Sequence, residues 1–166
     1  FRFHGLNWDQ RIGAHPDERY MVDVATRLSF PHDLNPFDVA PYFAYGHLPL
    51  YLLALTRPLV PGVDPLLLGR ALSASFDVGT VALTFALGRR MYDGRSGLLA
   101  AALVALMVGH VQQAHFYTPD TFLACLAVAV LLFAVRFVQD RRVSDIGLAG
   151  VLAGLALGTK VTAGLL

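Results

Sequence analysis

Two short segments carry the residue types that can do acid–base chemistry. The first is His15-Pro16-Asp17-Glu18-Arg19, and the second is His115-Phe116-Tyr117-Thr118-Pro119-Asp120-Thr121. A carboxylate placed against a hydroxyl can take its proton as that hydroxyl attacks. Each segment also has a plainer reading. Proline in a first helical turn with acids beside it marks a helix start, and the acids then complement the helix dipole. For the second segment, Thr118 or Asp120 stands near the cap and Pro119 in the first turn. The local pattern leaves both readings open. Topology lifts the acids above it, because both segments fall on the same side of the apolar runs described below. Two carboxylate sites facing one compartment can work together.

Few other groups could join them. His47 can contact phosphate or be a plain interfacial histidine. Arg70, near the end of an apolar run, can face phosphate or snorkel. Lys160 can meet a phosphate or pair with a carboxylate from another run. Asp77 lies deeper in the run of Arg70, where a carboxylate is either functional or a packing partner. Metal chemistry has little support. Cys125 is the sole cysteine, and His110 and His115 are five residues apart, off a common helix face. No metal ligand set and no cofactor is indicated, although a divalent metal remains chemically compatible.

The elements that must position these residues follow from composition. The chain has 166 residues, 55% hydrophobic and 15% charged, with a mean hydropathy of +0.54. Soluble domains carry about 25% charged residues. A soluble chain this short buries too little surface to hide so much apolar area. High hydrophobicity excludes intrinsic disorder. A net charge of +1 without a basic stripe argues against nucleic-acid binding. An integral membrane protein in a lipid bilayer remains.

A spanning helix needs about 20 apolar residues. Four runs qualify: Leu66 to Leu87, Ser96 to Ala114, Thr121 to Val135, and Ile146 to Leu166. The third is short for a span. Gly150, Gly154 and Gly158 form one stripe, read as a packing face. Tyr45 to Leu55 is too short to cross and reads as interfacial. Residues 17–28 fit an amphipathic helix, with Met21, Val24, Ala25 and Leu28 on one face and Arg19, Asp23 and Arg27 on another. Cytoplasmic breaks are rich in Lys and Arg. Arg89, Arg90 and Arg95 mark one such break, and Arg136, Arg141 and Arg142 another. The His110–Asp120 break and the polar N-terminal stretch then lie outside. The expected architecture is an all-α, polytopic transmembrane helix bundle. Residues 1–65 form an extracytoplasmic loop with amphipathic juxtamembrane helices, and 66–166 form about four spans, the last truncated. The chain reads as an N-terminal fragment of a larger protein, with a first span missing.

The ordered motifs resemble the membrane glycosyltransferases of the GT-C class. Nearest are the protein O-mannosyltransferases and the transferases of aminoarabinose to lipid A. The resemblance rests on His15-Pro16-Asp17-Glu18-Arg19, Asn35-Pro36, Tyr45-Gly46-His47-Leu48-Pro49-Leu50, Gly69-Arg70-Ala71-Leu72-Ser73 and Gly88-Arg89-Arg90-Met91-Tyr92. Phe116-Tyr117-Thr118-Pro119-Asp120 and Gly154-Leu155-Ala156-Leu157-Gly158-Thr159-Lys160 complete it. It implies transfer of a sugar from a polyprenyl-phosphate donor to a hydroxyl of a lipid, glycan or protein acceptor, with inversion. The site would face the outside of the plasma membrane. Asp17 matches the proposed catalytic base, with Glu18 its neighbour and Asp120 a second acid. The developing charge on the lipid phosphate needs cations, for which Arg70, Lys160 and His47 are the candidates. In the lipid A transferases the segment before Pro-Leu usually carries acidic and basic residues, whereas here it is Tyr45-Gly46-His47. The rival expectation is a transporter or channel with Arg70, Asp77 and Lys160 along a pathway; such proteins often show internal repeats, and none is visible.

Overall fold

Helix starts are written locally and the structure uses them. The computed structural model describes residues 1–29 and 32–165, the side chain of Leu165 excepted. The far end of the fourth apolar run, Leu166, lies outside them. Among the described residues there is no β-strand, and eight α-helices follow in order. They are α1 (Pro16–Arg27), α2 (Pro36–Val39), α3 (Leu48–Thr56), α4 (Pro65–Met91), α5 (Gly94–Leu106), α6 (Val108–Gln113), α7 (Pro119–Asp140) and α8 (Val143–Leu157). Proline stands in the first turn of α1, α2, α3, α4 and α7, where its missing N–H costs nothing. Asp64 caps α4 by accepting from the Leu66 N–H at 2.9 Å, and Asp93 caps α5 by accepting from the Ser96 N–H at 2.7 Å.

Helices α4, α5, α7 and α8 make a bundle in which α4 packs on α5 and α7, and α7 on α8. Among the described residues, α4 and α7 alone are long and apolar enough to cross a membrane, by length and composition. At 1.5 Å per residue they reach roughly 40 and 33 Å, against a hydrocarbon core of about 30 Å. The α4–α5 contact is close because two glycines meet in it. A Cβ on Gly88 would stand 2.9 Å from the Gly97 Cα.

Helices α1 and α3 pack on each other and on the N-terminal end of α4. The expected amphipathic face of α1 is buried: Met21, Val24, Ala25 and Leu28 are each at most 1% exposed. Burying each of its larger side chains stabilises by roughly 1.5–3 kcal/mol. On the outer face Arg27 pairs with Asp23 at 2.8 Å.

The apolar runs differ from expectation in three places. The second breaks at Met107, whose ψ of 119° ends α5 before the short α6 begins. The guanidinium of Arg2 compensates, donating to the Ala105 carbonyl and, at 3.2 Å, to that of Val104. Such carbonyls at a helix end need a partner. The third run is longer than its apolar core, because Arg136 is accommodated by Asp145 at 3.2 Å and by the face of Phe133. The fourth stops at Leu157, after which Gly158–Lys160 turn out of the helix. Of the glycine stripe, only Gly158 packs on another element among the described residues, where its carbonyl meets Leu48. A Cβ at Gly150 or Gly154 would meet nothing within 4 Å.

The two ends of the bundle differ in charge. The turn after α4 and the end of α7 carry the arginines and are joined by the Arg90–Asp140 pair. The opposite end gathers the start of α4, the break after α5, the start of α7 and the end of α8 beneath α1 and α3. Asp17, Glu18 and Asp120 are there.

Candidate functional site

Neighbours in sequence, Asp17 and Glu18 point to different surroundings, because successive helical residues are about 100° apart. Glu18 is fully buried. Its Oε1 and Oε2 accept from Arg70 at 2.8 and 2.7 Å, and Oε1 also accepts the Tyr117 N–H at 2.8 Å. Arg70, 0% exposed, donates further to both oxygens of Asp9, at 2.8 and 2.7 Å, and to the Leu6 carbonyl at 2.6 Å. The five N–H donors of a guanidinium are thereby all engaged. Trp8 lies beneath it, with its ring 5.7 Å from the charge. The Arg70 hydrogen bonds hold the Asp9 carboxyl well below the usual carboxylate range, against the opposing effect of burial. Tyr117 closes the layer: its ring stands over Gly69, where a Cβ would come within 2.6 Å, and its hydroxyl donates to the Pro49 carbonyl. Burial raises its pKa, so the phenol stays neutral.

Asp17 is half-buried and faces the other cluster. Its Oδ2 accepts from the Tyr45 hydroxyl at 2.9 Å. Lys160 lies over the Tyr45 ring, 5.9 Å from its centroid, and donates to Asp120 Oδ1 at 2.9 Å. Asp17 and Asp120, from α1 and α7, therefore stand on either side of one tyrosine. The end of α8 brings Lys160 there through a backbone clip. The Gly46 N–H donates to the Thr159 carbonyl at 3.0 Å and the Leu48 N–H to that of Gly158 at 2.9 Å. Position 46 must be glycine for this approach, since a Cβ would fall 2.1 Å from the Gly158 oxygen. The hydrogen bond to Asp17, burial and the charges of Asp17 and Asp120 together raise the Tyr45 pKa. The Lys160–Asp120 pair is open to solvent, its side chains 31% and 44% exposed.

A third set lies deeper in the bundle. Asp77, 1% exposed, accepts from Arg2 Nε at 2.6 Å, and its other oxygen lies 2.6 Å from His110 Nδ1. His110 and Asp120 both line a cavity of about 280 Å³ between α6 and α7, walled partly by Met107 and Ala124. No group of three or more His, Cys, Asp or Glu side chains is arranged to hold a metal ion among the described residues.

The expected residues thus separate. Asp17, Asp120 and Lys160 come together. Arg70 does not offer a face to a lipid phosphate: it is sealed among Asp9, Glu18 and Leu6 with no donor to spare, so that expectation gives way to a structural ion cluster. Glu18, expected to act beside Asp17, is instead the counter-ion of Arg70. His47 sits among the rings of Phe37, Phe43 and Tyr51, 4.8, 5.8 and 6.1 Å away, and burial lowers its pKa toward the neutral form. That weakens a cationic phosphate contact by His47. Asp77 has the partners Arg2 and His110 rather than an open pathway. The residues missed from sequence are Arg2, Asp9, Tyr45 and Tyr117. Tyr45 reads locally as a headgroup-level aromatic, and nothing in spacing ties Asp9 to Arg70.

Comparison with known families gives a match. The family model described as dolichyl-phosphate-mannose-protein mannosyltransferase covers residues 48–166. That stretch contains Arg70, Asp120 and Lys160, while Asp17, Glu18 and Tyr45 precede it. No curated protein and no solved structure matches the chain. The match takes in most of the sequence and the whole helical bundle, and the chain belongs to the dolichyl-phosphate-mannose-protein mannosyltransferase family, membrane glycosyltransferases of the GT-C type.

Proposed function

We propose that the protein transfers a sugar from a polyprenyl-phosphate donor to the hydroxyl of a protein, glycan or lipid acceptor, inverting the anomeric centre. The observation that carries this reading is the meeting of Asp17, Tyr45, Lys160 and Asp120 at one end of the bundle, opposite the arginine-rich turns. By the distribution of arginines, that end faces the extracytoplasmic side of the plasma membrane.

Asp17 is the base. One of its oxygens is held by Tyr45, and the side chain is half exposed, so an acceptor hydroxyl can reach it. As the hydroxyl oxygen attacks the anomeric carbon, its proton passes to the carboxylate. The bond from that carbon to the phosphate oxygen breaks, and the phosphate leaves with the electron pair. An inverting displacement needs no covalent enzyme intermediate. Lys160 lies over the ring of the tyrosine that holds this base, and its solvent-open pair with Asp120 can exchange one anion for another. It meets the phosphate and stabilises the charge that develops there. Glu18 and Arg70 take a different part. They fix the first turn of α1 to α4 and α7 and so aim Asp17. His47 supports the segment that carries Tyr45.

The test is a transfer assay on the intact protein in membranes with a panel of polyprenyl-phosphate sugars. Asp17→Asn is expected to slow transfer by roughly 10²–10⁴ while the protein folds and inserts normally. Transfer at the native rate by that variant would remove Asp17 as the base.

A further inference from the structure

The Tyr45 side chain touches both halves of the open cluster. Its hydroxyl donates to Asp17 and its ring carries Lys160, which holds Asp120. Its backbone is fixed on the C-terminal side by the clip from Gly46 and Leu48 to Thr159 and Gly158. Its ring rests edge-on against Phe43, 5.9 Å between centroids. Phe43, 7% exposed, belongs to the same buried cluster as the apolar face of α1. The tyrosine is therefore anchored to the core, to the end of α8 and to the carboxylate at once.

We propose that Tyr45 is a positioning residue of the transfer reaction, fixing the rotation of the Asp17 carboxylate while setting where Lys160 stands relative to it. The inference rests on Asp17 being the base. A carboxylate on a first helical turn turns freely about its terminal bond unless something holds it. Tyr45 holds Oδ2 at 2.9 Å and leaves Oδ1 as the oxygen presented to an incoming hydroxyl. The same ring sits under the ammonium group, so base and cation keep a fixed separation. That separation is what an in-line displacement requires, with the attacking hydroxyl on one side of the sugar and the leaving phosphate on the other. The phenol is suited to this part because the two carboxylates beside it favour its neutral form. It stays a donor and does not compete as a base.

The ring and the hydroxyl have separable duties, and two variants separate them. Tyr45→Phe keeps the ring under Lys160 and loses only the hydrogen bond to Asp17. In the intact protein with a polyprenyl-phosphate sugar, kcat should fall on the order of ten- to a hundredfold, as for a misaligned group. The KM for the donor should change by less than about twofold, since binding made equally in ground and transition state is untouched. Tyr45→Leu also removes the aromatic face and should raise the donor KM as well. Added to Asp17→Asn, Tyr45→Phe should cost nothing further, because its effect runs through that carboxylate. Thermal unfolding of Tyr45→Phe checks that the fold is kept. A native kcat in Tyr45→Phe, with Asp17→Asn strongly slowed, overturns the positioning part alone. A native rate in Asp17→Asn overturns the base assignment instead. A rise in donor KM with kcat unchanged in Tyr45→Phe also rejects the proposal, since it would make the hydroxyl a donor contact.

Discussion

Two ionic clusters lie side by side at one end of the bundle and differ in almost everything but composition. One contains Arg70, Asp9 and Glu18, with every guanidinium donor used and no side chain more than 4% exposed. The other contains Lys160, Asp120, Asp17 and Tyr45, with lysine and aspartate 31% and 44% exposed. Asp17 and Glu18 are consecutive residues, yet they belong to different clusters. The sealed cluster repays desolvation only because all its groups are paired, so it is suited to holding elements together. The open one keeps its charges near water and can trade a partner for a substrate. Saturation of donors and exposure, more than the presence of charge, separate a strut from a site.

The largest test of that difference is Arg70→Met. It leaves Asp9 and Glu18 buried without their counter-ion, and breaking a buried pair costs about 3–5 kcal/mol. The variant should accumulate poorly or unfold much earlier on heating, with loss of activity following loss of protein. Glu18→Gln should act in the same direction but more mildly, because the amide oxygen can still accept one bond from Arg70. Asp17→Asn should do the opposite. Its unfolding temperature stays close to the native one, while kcat falls by roughly 10²–10⁴, the usual worth of a general base. If Asp17→Asn and Glu18→Gln lost stability and activity in the same proportion, the two clusters would be one.

Next in size is Gly46→Ala. A methyl group there collides with the Gly158 oxygen, 2.1 Å from the added carbon. Overpacking of this kind typically costs about 1–3 kcal/mol. The backbone must part between α3 and α8, which moves Lys160 away from Tyr45. Activity should therefore drop by more than the unfolding midpoint implies. Gly150→Ala on α8 is the control. Its Cβ meets nothing within 4 Å, so both stability and transfer should stay near native.

Much of the frame was legible because it is written in local pattern. The four apolar runs, the proline-marked helix starts and the buried face of α1 follow from periodicities of a few residues. The acids at one end of the bundle and the arginines at the other follow from the order of runs and breaks. The missed parts are long-range. Arg2 reaches Asp77 across 75 positions, and Arg70 reaches Asp9 across 61. Neither partner carries a local mark of the other. The break at Met107 has no proline to announce it, and its carbonyls are satisfied from the N-terminal loop. The glycines show the same limit. Gly150 and Gly154 of the regular stripe meet nothing among the described residues, whereas the isolated Gly46 and Gly69 sit under close contacts. Lys160 was legible as a cation able to pair with a carboxylate from another run; which carboxylate, and over which ring, needed the end of α8 to be seen turning toward α3.

The smallest expected effect on stability is also the most discriminating for mechanism. Asp120→Asn removes the partner of Lys160 from an exposed pair, and such pairs contribute about 0–1 kcal/mol. Unfolding should barely move. Function can then change in either of two directions. If Asp120 only restrains Lys160 until phosphate arrives, its loss frees the ammonium group. The donor KM should then fall or stay level, with kcat near native and the salt dependence of donor binding steeper. If Asp120 takes part in proton handling with Asp17, kcat should drop and the donor KM should hold. Lys160→Met supplies the reference, raising the donor KM in both cases. A fall in kcat in Asp120→Asn with unchanged unfolding would place Asp120 in the chemistry, whereas an unchanged kcat would leave it as the anion that Lys160 releases. The comparison of clusters favours the second outcome, because an exposed pair with one hydrogen bond is held loosely enough to be exchanged.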